Sequence, residues 1–306
     1  MTLRRVALID LPPERQEPLA AILAGMGVAP FPTQWDDLAG PAPDFSIGAF
    51  ETFMRALPAA VTPDMLDARA LPVALVGPMA PTNSELLSFQ LEHGVIHLLP
   101  LDLWNEPACL ERTIRGLLDA RDLFEITRFL PVPVVRRRLP VATLAEKHQI
   151  AEEVAEIVRP FAQNQRQISN VYLIINELIN NAFFHSFRDL SGAEKYTPRH
   201  FARLEEPDHV FVEVAAGPSG IALAVEDNRG SLSPQEVLRY MLRQTSGAGI
   251  YDSHGRGFYL VSNLVHHLSI CLDPDRRTRI ITLNHAAASE IRTLDFFIHR
   301  PNGSER

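Results

Sequence analysis

The sequence predicts an α/β protein made of two domains in succession. Three observations lead there. Short apolar strands alternate with amphipathic helices through the first third of the 306 residues. Three prolines among β-branched residues interrupt that pattern between about 123 and 140, and helices followed by strands of alternating polarity fill most of the remainder. A chain of this length has room for about two domains, at roughly 100–200 residues each.

In the first third, Val6 to Asp10 reads as a buried strand. A helical pattern follows, with Leu19, Ile22, Leu23 and Met26 on one face and Gly27 as its stop. Further strands are expected at 44–50, 71–78 and 94–99, and helices at 83–93 and 109–120. Strands separated by helices imply a parallel sheet covered on both faces. The stretch "RFLPVPVVRRRLPV" reads as an extended connector into the next domain's first strand, because proline removes a backbone donor and keeps its predecessor extended. The boundaries expected are 1–122, a linker at 123–139, and 140–306. A helix then begins near Thr143, with Leu144, Ile150, Val154, Ile157 and Val158 apolar.

Bulk properties exclude several function classes. A net charge of −8 argues against a nucleic-acid partner, and the run Arg136 to Arg138 reads as a solvated linker or strand face. No apolar run approaches the ~20 residues that cross a bilayer, and no signal-peptide pattern opens the chain, so no membrane partner and a cytoplasmic location are expected. Cys109 and Cys271 lie far apart without metal-ligand spacing and read as inert thiols of a reducing compartment. His266 and His267, after an apolar helix, read as capping or packing residues.

The chemistry concentrates in the second domain. Val171, Ile174, Ile175, Leu178 and Ala182 recur at helical spacing, which aligns Glu177, Asn181 and His185 at i, i+4 and i+8 on another face. A carboxamide oxygen suits the octahedral oxygen shell of Mg²⁺, and a carboxylate one turn away can accept a proton. By itself this stripe equally suits a solvated helix face. Two strands joined by "GPSG" come next, the second ending in Asp227, an acceptor for an adenine amino group. Asn228 and Gly230 supply a turn that brings backbone close to a base. Ser233, Pro234 and Glu236 then start a helix through a capping box. Finally Gly247 and Gly249 precede Gly255-Arg256-Gly257, which opens an apolar helix whose N-terminus can meet phosphate oxygens. Arg256 reads as a phosphate contact or as half of a structural ion pair.

In that order these motifs are recognisable. Residues from about 135 to 285 resemble the ATP-binding domain of the histidine-kinase-like ATPases, with "ELINNAFFH" similar to its N box and "EDNRG" and "HGRGFYLV" to its glycine boxes. The anti-sigma-factor serine kinases are the nearest branch, through Glu177, Asn181, Ala182 and His185. The resemblance implies an α/β two-layer sandwich, helices on one face of a mixed sheet, with ATP and Mg²⁺ as cofactors. It makes Glu177 the catalytic base, Asn181 the Mg²⁺ ligand and Asp227 the adenine partner. His185, Gly230, Gly255, Arg256 and Gly257 complete the nucleotide site, and 243–254 forms the lid. Two departures stand out. Arg229 occupies the glycine position of D-x-G, which would crowd the base or shift the turn, and 187–208 is longer than compact anti-sigma kinases need. His148 stands in no phosphoacceptor context and reads as solvent-facing.

The first domain resembles a response-regulator receiver in outline, a doubly wound fold; an unrelated small doubly wound domain is the alternative. Asp10 ends the first strand, but Ala49, with Glu51 beyond it, stands where the phosphorylated Asp belongs. Gly77–Pro78 replace the usual Ser or Thr, and no Lys precedes Pro100. Without that nucleophile and its cations, phosphoryl transfer to the domain fails. A receiver so altered is expected to bind partners or to form a homodimer. The whole therefore reads as a signalling protein that phosphorylates a serine or threonine of a protein partner, in the manner of an anti-sigma kinase acting on its antagonist or binding a sigma-like factor. The alternative is a non-catalytic, nucleotide-gated interaction module. An ATP-driven dimer clamp is disfavoured, since nothing resembles a transducer domain.

Overall fold

In the computed structural model the described residues are 5–33, 45–49, 73–77, 83–93, 95, 97–118, 124–128, 130, 132–245, 256–286 and 292–298. The chain divides into two compact units, Met1–Asp119 and Ala120–Arg306. Both are mixed α/β, the first with a parallel sheet and the second with a mixed one. Among the described residues no helix is long and apolar enough to cross a membrane.

The first unit is built on β1 (Arg5–Ile9), β2 (Ala29–Thr33), β3 (Phe45–Ala49), β4 (Val73–Gly77) and β5 (His97–Pro100), in the order β2-β1-β3-β4-β5. All four pairings are parallel, and this order is common among doubly wound sheets. Its helices are α1 (Pro13–Gly25), α2 (Ser84–His93) and α3 (Pro107–Leu118). Leu19 and Leu23 bury α1, and Gly27, at φ +71°, ends it. β3 does end in Ala49, and Gly77 closes β4. Glu51 and Pro78 lie outside the described residues. β2 was not anticipated: Pro30 and Pro32 weaken its strand pattern, yet it is an edge strand, where proline is tolerated.

In the second unit β6 (Val135–Val141), β7 (Val210–Gly217), β8 (Gly220–Asp227), β9 (His267–Asp273), β10 (Arg277–His285) and β11 (Thr293–Ile298) form one sheet, ordered β11-β9-β10-β8-β7-β6. Every pairing is antiparallel except β11 with β9. Helices α4 (Leu144–Val158), α5 (Gln165–His185), α6 (Pro234–Thr245) and α7 (Arg256–Leu264) complete it, with α4 packed on α5, and α7 on both α5 and α6.

One expectation needs correction. Part of the stretch taken as a linker at 123–139 is β6, because Arg136 and Arg138 reach charged partners on neighbouring strands. Arg136 bonds Glu213, Arg138 Nη2 donates to Glu226 at 2.9 Å, and Arg279 joins both carboxylates. Burial alone would push the Glu213 carboxyl up, but Arg279 and Arg136 outweigh it and hold it below its ordinary range. The strands β9, around Cys271, and β10 pair with each other inside the sheet: β8 flanks β10 and β11 flanks β9.

Candidate functional site

Asn164 caps α5, its side-chain oxygen accepting from the Gln167 amide at 3.0 Å. Ile168, Val171, Ile174, Ile175, Leu178 and Ala182 bury one side of that helix. The polar stripe is not solvated. Asn181 is only 9% exposed, and Glu177 and His185 are half-buried. The Asn181 Nδ2 group is buried without a hydrogen-bond partner among the described residues. Such an orphan costs about 1–3 kcal/mol unless a further group accepts from it.

Asp227, 3% exposed, closes β8 and faces this stripe. Its Oδ2 accepts from Ser186 Oγ at 2.8 Å, and its Oδ1 from the Arg229 and Gly230 amides at 2.9 and 3.3 Å. Burial pushes its carboxyl above the usual range, and these donors, with the Thr278 backbone, offset only part of that. Asn181, His185, Ser186 and Asp227 line one cleft of about 440 Å³, counting the open solvent at its mouth. Val225, Ile280, Leu232 and Phe258 give it apolar walls, and Tyr240 and Thr278 complete it. The Thr278 hydroxyl is also buried without a partner.

The start of α7 packs directly onto the polar stripe. A Cβ on Gly257 would lie 3.0 Å from Glu177 Oε2, 3.1 Å from Asn181 Nδ2 and 3.2 Å from Asn181 Oδ1. Only glycine lets the two helices meet there with both side chains in place. Arg256, exposed at the first position of α7, acts on Glu177 through its charge. Burial raises the Glu177 carboxyl's pKa, and the Lys147 and Arg256 cations oppose that rise. Gly255 and most of the lid at 243–254 lie outside the described residues.

The turn after Asp227 differs from expectation. Gly230, at φ +61°, holds the left-handed position, one residue later than in D-x-G. A Cβ there would collide with the Asp273 carbonyl oxygen, so packing against the β9–β10 hairpin demands the glycine, rather than approach to a base. Arg229 does not crowd the cavity: both its Nε (2.9 Å) and Nη2 bond Asp208. The segment 187–208 thereby becomes part of the site's frame. Asp208 also accepts from Lys195 Nζ at 2.8 Å and Tyr196 Oη at 2.9 Å. Glu194 meets His185 Nδ1 at 2.7 Å, and Asn228 Nδ2 donates to the Pro207 carbonyl at 2.8 Å. Phe187, Tyr196 and Phe201 stack this segment against the end of α5.

Sequence reasoning missed Lys147, Ser186 and Thr278. Lys147 is buried on α4, with its ammonium on Asn180 Oδ1 at 3.0 Å, while neighbouring His148 is exposed. The only signal for Lys147 was its place on the apolar side of its helix, four residues before Ala151. Ser186 and Thr278 touch Asp227 from 41 and 51 positions away, so no local pattern shows them. Comparison with known proteins finds no family model and no curated protein that matches the chain.

Proposed function

We propose that the second unit is a histidine-kinase-like ATPase domain that binds ATP with Mg²⁺ and transfers its terminal phosphoryl group to a serine or threonine of a partner protein. In this reading it acts as the anti-sigma-type kinases do, and the first unit is a receiver-like domain without its acceptor aspartate. The observation that carries the reading is the cavity in which buried Asp227 faces the Asn181 side of α5. Its apolar walls beside a few convergent polar groups are the lining usual for small-molecule sites.

Each residue then has a chemical task. Asp227 accepts from the exocyclic amine of adenine while Val225, Ile280 and Phe258 flank the ring. For Mg²⁺ the residues fit: Asn181 offers a neutral oxygen ligand, its unpartnered Nδ2 suits a phosphate oxygen, and bare Gly257 leaves both in place. When bound, the ion supplies neutralisation of phosphate charge. Glu177 takes the proton of the partner's hydroxyl, a role helped by burial that raises its pKa. Lys147 and Arg256 oppose that rise and favour the ionised form.

The test offers serine-containing peptides and terminally labelled ATP to the full chain and to Glu177→Gln. The wild type is expected to transfer label, and the variant to bind ATP normally while transfer falls by about 10²–10⁴. Equal transfer by both proteins, or none by an ATP-bound wild type, would overturn the kinase reading and favour a nucleotide-gated interaction module.

A further inference from the structure

The two histidines after α7 do more than pack. His267 opens β9, His285 closes β10, and their Nε2 atoms face each other at 2.9 Å. His267 is 3% exposed and His285 half-buried, so one side of the pair is reachable from solvent. On β11, Thr293 Oγ1 lies 2.9 Å from His267 Nδ1 and donates to Asp295 Oδ2 at 2.8 Å. The hydroxyl's hydrogen is thus committed to Asp295, and its lone pair receives the hydrogen on His267 Nδ1. That fixes the tautomer: His267 presents a bare Nε2 to its partner. The His285 main chain is held as well, its amide donating to His266 Nδ1 at 3.1 Å.

We propose that His267 and His285 form a binding site for a zinc-class transition-metal ion. An imidazole whose other nitrogen hydrogen-bonds toward a carboxylate is the usual form of a metal-ligating histidine, and imidazole nitrogen suits zinc, copper and nickel. Zn–N bonds of about 2.0–2.1 Å in a tetrahedron set the two nitrogens about 3.3 Å apart, so the pair opens by only a few tenths of an ångström. Both rings stay neutral. The hydrogen on His285 Nε2 is exchanged through water for one on Nδ1.

This site is separate from the nucleotide cavity. His285 pairs with Gly220 and Thr278 with Asp227, seven residues away, or roughly 23 Å along the strand. Strand alternation also turns His285 and Asp227 to opposite faces of the sheet. The proposal therefore stands whether or not ATP binds.

Chelator-stripped full chain is titrated with Co²⁺ without nucleotide or Mg²⁺. The expected result is uptake with the visible absorption of nitrogen-bound cobalt, displaced by Zn²⁺ and not by Mg²⁺. His285→Gln, which keeps a hydrogen-bonding side chain at a half-exposed position, is expected to weaken uptake at least tenfold while ATP binding is unchanged. Asp295→Asn is expected to weaken it by about 10–100-fold. No Co²⁺ uptake by the wild type, or unchanged affinity in His285→Gln, would overturn the proposal and leave a hydrogen-bonded histidine pair.

Discussion

Two buried aspartates, nineteen positions apart, are shifted in opposite directions. Burial pushes both carboxyls up, but Asp208 also receives Lys195, Arg229 and Tyr196, which together hold it below its ordinary range. Asp227 meets only neutral donors and stays raised. The first arrangement is structural, a charge matched by cations. The second leaves a carboxyl at a cavity wall with only neutral donors beside it. Gly257→Ala is expected to push Glu177 and Asn181 aside and to lower phosphoryl transfer by about 10–100-fold, since misplacements below 1 Å are costly at reacting groups. Its melting temperature should stay close to that of the wild type, because alanine is a better helix former. Steady-state kinetics across Mg²⁺ concentrations checks this; wild-type turnover would contradict it.

At the scale of elements, those with local signals were legible and those defined by distant partners were not. Ser233 and Glu236 exchange the bonds of a capping box at the start of α6, and Thr143 with Glu146 does so for α4. Such boxes are written within four residues. By contrast β11 is set by its parallel pairing to β9, and β2 by its place at an edge, neither of which a local window holds. The 187–208 segment was visible only as extra length; its role as frame depends on Asp208, to which Arg229 comes from beyond β8. Because the folded-state pKa of Asp208 is depressed, its stabilisation is present above the ordinary carboxylate range and is lost as pH falls through and below that range. Amide protection, taken relative to the intrinsic exchange rate at each pH, is therefore expected to fall around Lys195 and Tyr196 at acid pH before it falls in β7 and β8. Asp208→Asn should show that lower protection already at neutral pH. Protection in this segment that is independent of both pH and Asp208 would contradict the assignment.

At the scale of the molecule, two α/β units each carry their own sheet, and the chemistry gathers on the second. Its sheet bears a cavity toward α5 and α7 and a histidine pair on the opposite face. The sequence order of helix stripe, strand-end aspartate and glycine pair made the first of these legible. The second was hidden because His267 and His285 meet only through strand pairing. The first unit keeps Asp10 at the end of β1 and has Ala49 at the end of β3.

The central claim, a nucleotide site centred on Asp227, is tested most directly by calorimetric titration of the full chain with ATP and Mg²⁺, beside Asp227→Asn. Asparagine keeps an oxygen for the Arg229 and Gly230 amides, and the Ser186 hydroxyl can turn to accept from its nitrogen. The raised pKa means that the stability tied to the protonated Asp227 is lost as pH rises through its folded value, and the melting temperature of both proteins is measured at the pH of the titration. The expected result is saturable Mg²⁺-dependent binding to the wild type, weakened in Asp227→Asn by about 10–100-fold, the value of one hydrogen bond to a charged group. No binding by the wild type, or equal affinity in a folded Asp227→Asn, would contradict the account.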